Sequence, residues 1–147
     1  MSVIFDYFAA KSDREAAAVI GREGGPASEH EVVQSPGIDP VVRLGKLEEI
    51  LTGRPYGDIA QDPRIAQPVA LQNEGQRVVV GLTDGIAAGL ASATQASLAL
   101  AAITWADTEE FWGMTAPEDL IPFLTDLSAL ARTARADDSR LYCWICV

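Results

Sequence analysis

Both cysteines of the chain, Cys143 and Cys146, stand in a C-x-x-C spacing within "RLYCWICV". That spacing serves redox dithiols and halves of zinc sites. A redox dithiol sets its first cysteine at a helix N-terminus, where the dipole lowers the thiol pKa; no helical sequence follows here. A zinc site needs two further ligands, yet there is no other cysteine and one histidine, His30. The stretch reads instead as a strand, in which residues three apart point to opposite faces. Leu141, Cys143, Ile145 and Val147 would face one way, and Tyr142, Trp144 and Cys146 the other. A strand apolar on both faces belongs in the middle of a sheet.

Other candidate chemistry falls away on similar grounds. His30 sits in "EHE", where an extended backbone turns Glu29 and Glu31 away from it, leaving a solvated loop or strand edge. "GREGGP" has the glycines of a phosphate loop but not its lysine or its helix start. There is no G-x-S-x-G, and no serine or cysteine is an evident partner for the lone histidine. The adjacent carboxylates Glu48–Glu49 and Asp137–Asp138 point apart on a helix or turn and read as solvated surface. No catalytic residue, metal ligand or cofactor site is therefore assigned, and whether the chain is an enzyme stays open.

"TWADTEEFWG" is different. It gathers Trp105, Phe111 and Trp112 around Asp107, Glu109 and Glu110, with Glu118 and Asp119 close behind. Aromatics beside carboxylates line ligand clefts and interface hot spots, although large rings also pin loops onto cores. Asp107 and Glu110 form D-x-x-E, a capping box for a short helix. Charge placement points the same way. From Val78 to Ala131 there is no lysine or arginine, while Asp84, Asp107, Glu109, Glu110, Glu118, Asp119 and Asp126 make the segment acidic. All eleven bases lie outside it.

The elements that would hold these residues are legible. "SVIFDYFA" alternates as a strand; Ser12 and Glu15 open a short helix that ends at Gly21. Residues 31–34 suit a second strand. Asp39 and Pro40 start a helix that Gly53 ends, with Val41, Leu44, Leu47, Ile50 and Leu51 inward and Arg43, Lys46, Glu48 and Glu49 outward. From Arg54 to Gln67, proline, glycine and aspartate predict a loop with one helical turn. "VALQ" and "RVVVGL" flank "NEGQ" as a hairpin, and two alanine-rich helices break near Ser92 to Thr94. A long amphipathic helix starts near Asp119, which would leave Pro122 in its first turn, and "ADDS" turns into the closing strand. The sum is a single α+β domain over 1–147, a small mostly antiparallel sheet including both terminal strands, packed by three to five helices.

This layout resembles the YfbM-like family of small bacterial proteins. The resemblance rests on "YFA" (Tyr7 to Ala9), on "ID" (Ile38, Asp39) opening a helix that ends "LTG" (Leu51 to Gly53), and on "DP" (Asp62, Pro63) after it. The family's tryptophan and histidine within that helix have no counterpart here. The resemblance implies an α+β fold and no reaction.

Net charge is −10, from 21 acidic and 11 basic residues. Such a chain repels nucleic acid and anionic membranes and attracts basic proteins. The uncharged stretch between Asp84 and Asp107 is too rich in alanine, glycine and hydroxyls to span a bilayer. "MSVIFDYFAA" has no basic n-region, which predicts a cytoplasmic protein with reduced thiols. The expected function is non-enzymatic binding of another protein, such as an inhibitor or immunity-type protein masking a basic partner. The alternative is a small-molecule binder or hydrolase in a cleft near Trp105 and Trp112, and self-association is a third possibility.

Overall fold

A computed structural model describes residues 3–22, 25–65 and 68–147. Five strands build one antiparallel sheet: β1 (Ile4–Ala10), β2 (Val32–Pro36), β3 (Pro68–Gln72), β4 (Arg77–Gly81) and β5 (Arg140–Cys146). Their order is β2-β1-β5-β4-β3, so β5 lies at the centre and pairs with β1 from Ile4↔Cys146 to Ala10↔Arg140. The hairpin of β3 and β4 turns through Asn73–Gly75, as expected.

Six α-helices lie among the described residues, more than the three to five expected: α1 (Asp13–Ala17), α2 (Val42–Thr52), α3 (Tyr56–Ala60), α4 (Asp84–Ser92), α5 (Gln95–Ala106) and α6 (Pro117–Ala136). The surplus is α3, the single turn expected within the loop from Arg54 to Gln67. Helices α2, α4, α5 and α6 bury their stripes on one face of the sheet, against Tyr7, Val80, Leu141 and Cys143. The other face packs Phe8, Val79, Tyr142 and Trp144 under Ala16 and Val19. The alternation of β5 read from the sequence is thus the alternation between the two cores.

Local chemistry sets the helix ends. Ser12 Oγ accepts from the Glu15 N–H at 3.1 Å, whereas the Glu15 carboxylate reaches the Lys11 N–H, one residue before the cap. The Asp39 carboxylate accepts from the N–H groups of Val42 (2.6 Å) and Arg43 (3.2 Å), but α2 itself begins at Val42, two residues later than the expected start at Pro40. Gly53 closes α2 at φ 77°, the left-handed conformation that favours glycine. Thr94 and Ser97 cap α5 reciprocally, each side chain accepting the other's N–H.

Three expectations are corrected. Helix α6 starts at Pro117, not near Asp119, because proline at the first position forfeits no helical hydrogen bond. Pro122 then falls in the second turn, with its ring exposed. Glu48, assigned to solvent, is 1% exposed: it follows Leu47 and lies one turn after Leu44, on the buried stripe. His30 is not freely solvated, since its ring packs on Phe8 at 5.2 Å between centroids.

Of "GREGGP", Glu23 and Gly24 lie outside the described residues. Gly25 opens a 3-10 turn, Gly25–Ser28, seated on the Trp144 ring. A Cβ at Gly25 would stand 2.7 Å from that ring, so only glycine fits.

Candidate functional site

Helix α5 delivers Trp105 into the core and then stops. Trp105 is 0% exposed, its Nε1 donates to the Arg43 carbonyl at 2.8 Å, and Phe111 meets it edge-on at 5.1 Å. Asp107 is the C-cap of α5, so D-x-x-E is not a capping box; the short 3-10 turn Glu109–Phe111 begins after Thr108. The Thr108 hydroxyl donates to the Trp105 carbonyl at 2.6 Å, which ends the helix here.

Arg43 fastens the loop from the other side. Its guanidinium lies 5.0 Å from the Phe111 ring centroid and donates to the Gly37 carbonyl and, at 2.9 Å, to that of Glu110. Phe111 is thereby clamped between Trp105 and Arg43. The next residue, Trp112, takes φ 55° and ψ 24°, a left-handed conformation that side chains other than glycine and asparagine seldom adopt. The turn throws its indole outward, 82% exposed, and Met114 beside it is 87% exposed.

Behind these two side chains opens a cleft of about 410 Å³. Ile38, Phe111, Leu120 and Phe123 supply apolar walls, Arg43 and Asp119 the charged ones, and Gln34 and Ser35 of β2 close one end. The predicted site residues thus divide. Trp112 and Asp119 line the cleft, and Trp105 does not, being the support beneath the loop. Asp107, Glu109 and Glu118 are exposed and do not line it, and Glu110 is half-buried with its carbonyl on Arg43. Among the described residues none of these five carboxylates pairs with a cation.

Asp84 stands apart from this group. It lies 3.6 Å from Arg140, near Arg135 in the last turn of α6, while Asp119 occupies the first turn. Sixteen residues of helix separate the two ends, roughly 24 Å at ~1.5 Å per residue. Asp84 therefore lies on a different part of the surface from the exposed aromatic, with the exposed Asp126 midway along α6 between them.

No family model, curated protein or solved structure matches the chain. Its chemistry must be read from its own residues.

The remaining polar clusters are cross-braces. Thr83 accepts the Ile86 N–H at the start of α4 and donates to the buried Glu48 carboxylate, which Arg54 approaches at 3.3 Å while holding Asp62 at 2.8 Å. The Arg64 backbone N–H, and then Arg54, hold Asp62 below the usual carboxylate range. The Tyr142 hydroxyl donates to Asp13 at 2.6 Å, and Arg64 reaches the same oxygen at 2.9 Å. The tyrosine and then the arginine pull the Asp13 carboxyl down. These contacts tie α2 to α4 and α1 to β5.

The C-x-x-C pair does not work as a unit. Cys143 and Cys146 are free and belong to opposite cores, and burial pushes the Cys143 thiol well up, away from the reactive thiolate. Among the described residues no cluster of three His, Cys, Asp or Glu side chains could hold a metal ion, and no helix is long and apolar enough to cross a membrane.

Two features of the site escaped the sequence. Met114 gave no signal beyond following the Gly113 turn. Arg43, assigned to solvent, is half-buried between Phe111 and the Trp105 helix.

Proposed function

We propose that this chain acts by binding another protein at the Trp112–Met114 face, as an inhibitor or immunity-type protein masking a basic partner. One observation carries the proposal. Trp112 is 82% exposed and held in a left-handed backbone beside a 410 Å³ cleft. Strained backbone and an exposed tryptophan each act against stability, and strain of this kind gathers at functional sites. Tryptophan is also the residue most enriched among interface hot spots.

The surroundings support the charge of the partner. An apolar side chain of the partner enters between Phe111, Leu120 and Phe123, while its basic residues face Asp107, Glu109, Glu118 and Asp119. Opposite charge at the rim raises the association rate and specificity more than the affinity. The two free thiols suit a reducing compartment, which supports the cytoplasm as the setting of the encounter. The YfbM-like resemblance enters this proposal as a statement of fold only. A second reading, a small-molecule binder or hydrolase, draws on the volume of the same cleft and the guanidinium at its wall.

The test is capture from native extract on the immobilised chain, with Trp112→Ala and a Glu118→Lys/Asp119→Lys double variant as controls. The expected result is a basic protein held at low salt, released at high salt and absent from both variants. A protein held equally by Trp112→Ala would overturn the proposal.

A further inference from the structure

Helix α5 carries no charged side chain on any of its faces. A helix with no charged face is normally buried, yet Leu100 and Ile103 are 68% and 58% exposed. Beside them runs a groove of about 360 Å³ between α5, the end of α2 and the end of α4. Ile50, Leu51, Ala93, Ser97, Leu100 and Thr104 line it, and no charged residue does.

We propose that this face receives a second copy of the chain, forming a two-fold dimer with α5 packed against α5. Charge selects that occupant. At −10 each, two copies repel across most of their surfaces, but residues 85–106 hold no charge. This is the longest run of the acidic half along which two copies can touch without opposing carboxylates. A basic protein gains nothing on this face and is drawn to the rim of the Trp112 cleft instead.

Shape selects the same occupant. A two-fold interface uses one patch twice, so the patch must carry both a projection and the recess that receives it. Leu100 and Ile103 are the projections, and the adjoining groove is the recess. Ala96, exposed one turn before Leu100, lets the two helices approach closely. At twelve residues α5 is about 18 Å long. A contact resting on one helix of that length is small, and the dimer dissociates on dilution.

Sedimentation equilibrium over a range of concentration and salt tests this. The expected mass climbs from 15.7 kDa towards twice that value as concentration rises. Added salt drives it further, because screening removes the repulsion between copies. Leu100→Glu and Ile103→Glu, both at exposed positions, hold the chain at the monomer mass with an unchanged circular dichroism spectrum. Trp112→Ala leaves the dimer intact, and Leu100→Glu leaves capture of the basic partner intact, so this inference and the proposed function fail separately. A monomer mass at every concentration and salt would overturn the dimer, as would a dimer that survives both glutamates or that salt dissolves.

Discussion

Trp105 and Trp112 are seven residues apart, and truncating them should have opposite consequences. Trp105→Ala empties a site that is 0% exposed, removes the rings' contacts with Phe111 and Phe123, and strips the Arg43 carbonyl of its donor. Large-to-small changes of this kind cost about 3–5 kcal/mol, a large share of the ~5–15 kcal/mol that holds such a domain together. At roughly 2–4 °C per kcal/mol, melting should fall by about 6–20 °C. Trp112→Ala removes a side chain that touches little, and alanine inherits the same left-handed backbone, so stability should stay within about 0.5 kcal/mol. Trp112→Asn goes further. Asparagine tolerates φ near 55°, and recovering part of the ~1–2 kcal/mol left-handed penalty should stabilise the chain by about 0.5–1 kcal/mol while abolishing partner capture. Urea unfolding followed by circular dichroism measures all three. A Trp105→Ala variant within about 1 kcal/mol of wild type, or a Trp112→Ala variant that loses more than about 1.5 kcal/mol, would refute this division into support and contact surface.

The other predictions concern the sheet. Deleting Tyr142 to Val147 removes the central strand with the buried Tyr142, Cys143 and Trp144, at roughly 1.5–3 kcal/mol per large side chain, so the truncated chain should be insoluble or unfolded. A monomer with near-native melting would contradict that. Cys143→Val should be mild and Cys143→Ser costlier, by about 1–3 kcal/mol for a buried hydroxyl without a partner, and stoichiometric zinc lost with both cysteines would refute the strand assignment. Asp6 is 3% exposed, and burial raises its pKa despite a hydrogen bond from Gln34. In the window between its unfolded and folded pKa the native state binds more protons, so this group makes stability fall as pH rises. Asp13 and Asp62, whose pKa values are lowered, act in reverse, and their contribution is lost as pH falls through their folded values. Asp6→Asn should therefore stabilise the chain at neutral pH and flatten that part of the profile, as pH-dependent urea titrations would show; an unchanged profile would refute the assignment.

The fold was legible wherever burial imposes a period. Strand β5 alternated as read, because its two faces enter two different cores, and the breaks at Gly53 and near Thr94 followed from backbone and capping chemistry. The start of α6 at Pro117 is masked by Pro122, which favours a start near Asp119 that would keep it in the first turn. At the site, periodicity held information that aromatic clustering obscured. Leu98, Ala101, Ala102 and Trp105 share one helical stripe, and that spacing alone would have placed Trp105 inside. The same count from Leu44 places Glu48 inside, against the usual preference of its side chain. Trp112 ends a local turn, its N–H donating to the Glu109 carbonyl at 2.9 Å, but the Arg43–Phe111 contact that backs this turn joins residues far apart in sequence. The loop before it is also tied to α2 by the bond from Arg43 to the Glu110 carbonyl, 67 positions apart in sequence.

The central place of β5 also governs the order in which the molecule can assemble. Strands β1 and β2 can pair early, and β3 and β4 close a local hairpin, but these halves share no hydrogen-bonded ladder until β5 enters between them. The contacts it brings are among the most distant in the chain, such as Tyr142 with Asp13, 129 positions apart. Closing such loops is slow, because chain entropy is lost before any contact repays it. Until then β1 and β4 each present an open edge, flanked by Tyr7, Phe8, Val79 and Val80, to any neighbouring chain. The strand that makes the native sheet continuous is thus also what makes its half-formed state sticky, and conditions that delay β5 should favour aggregation over refolding.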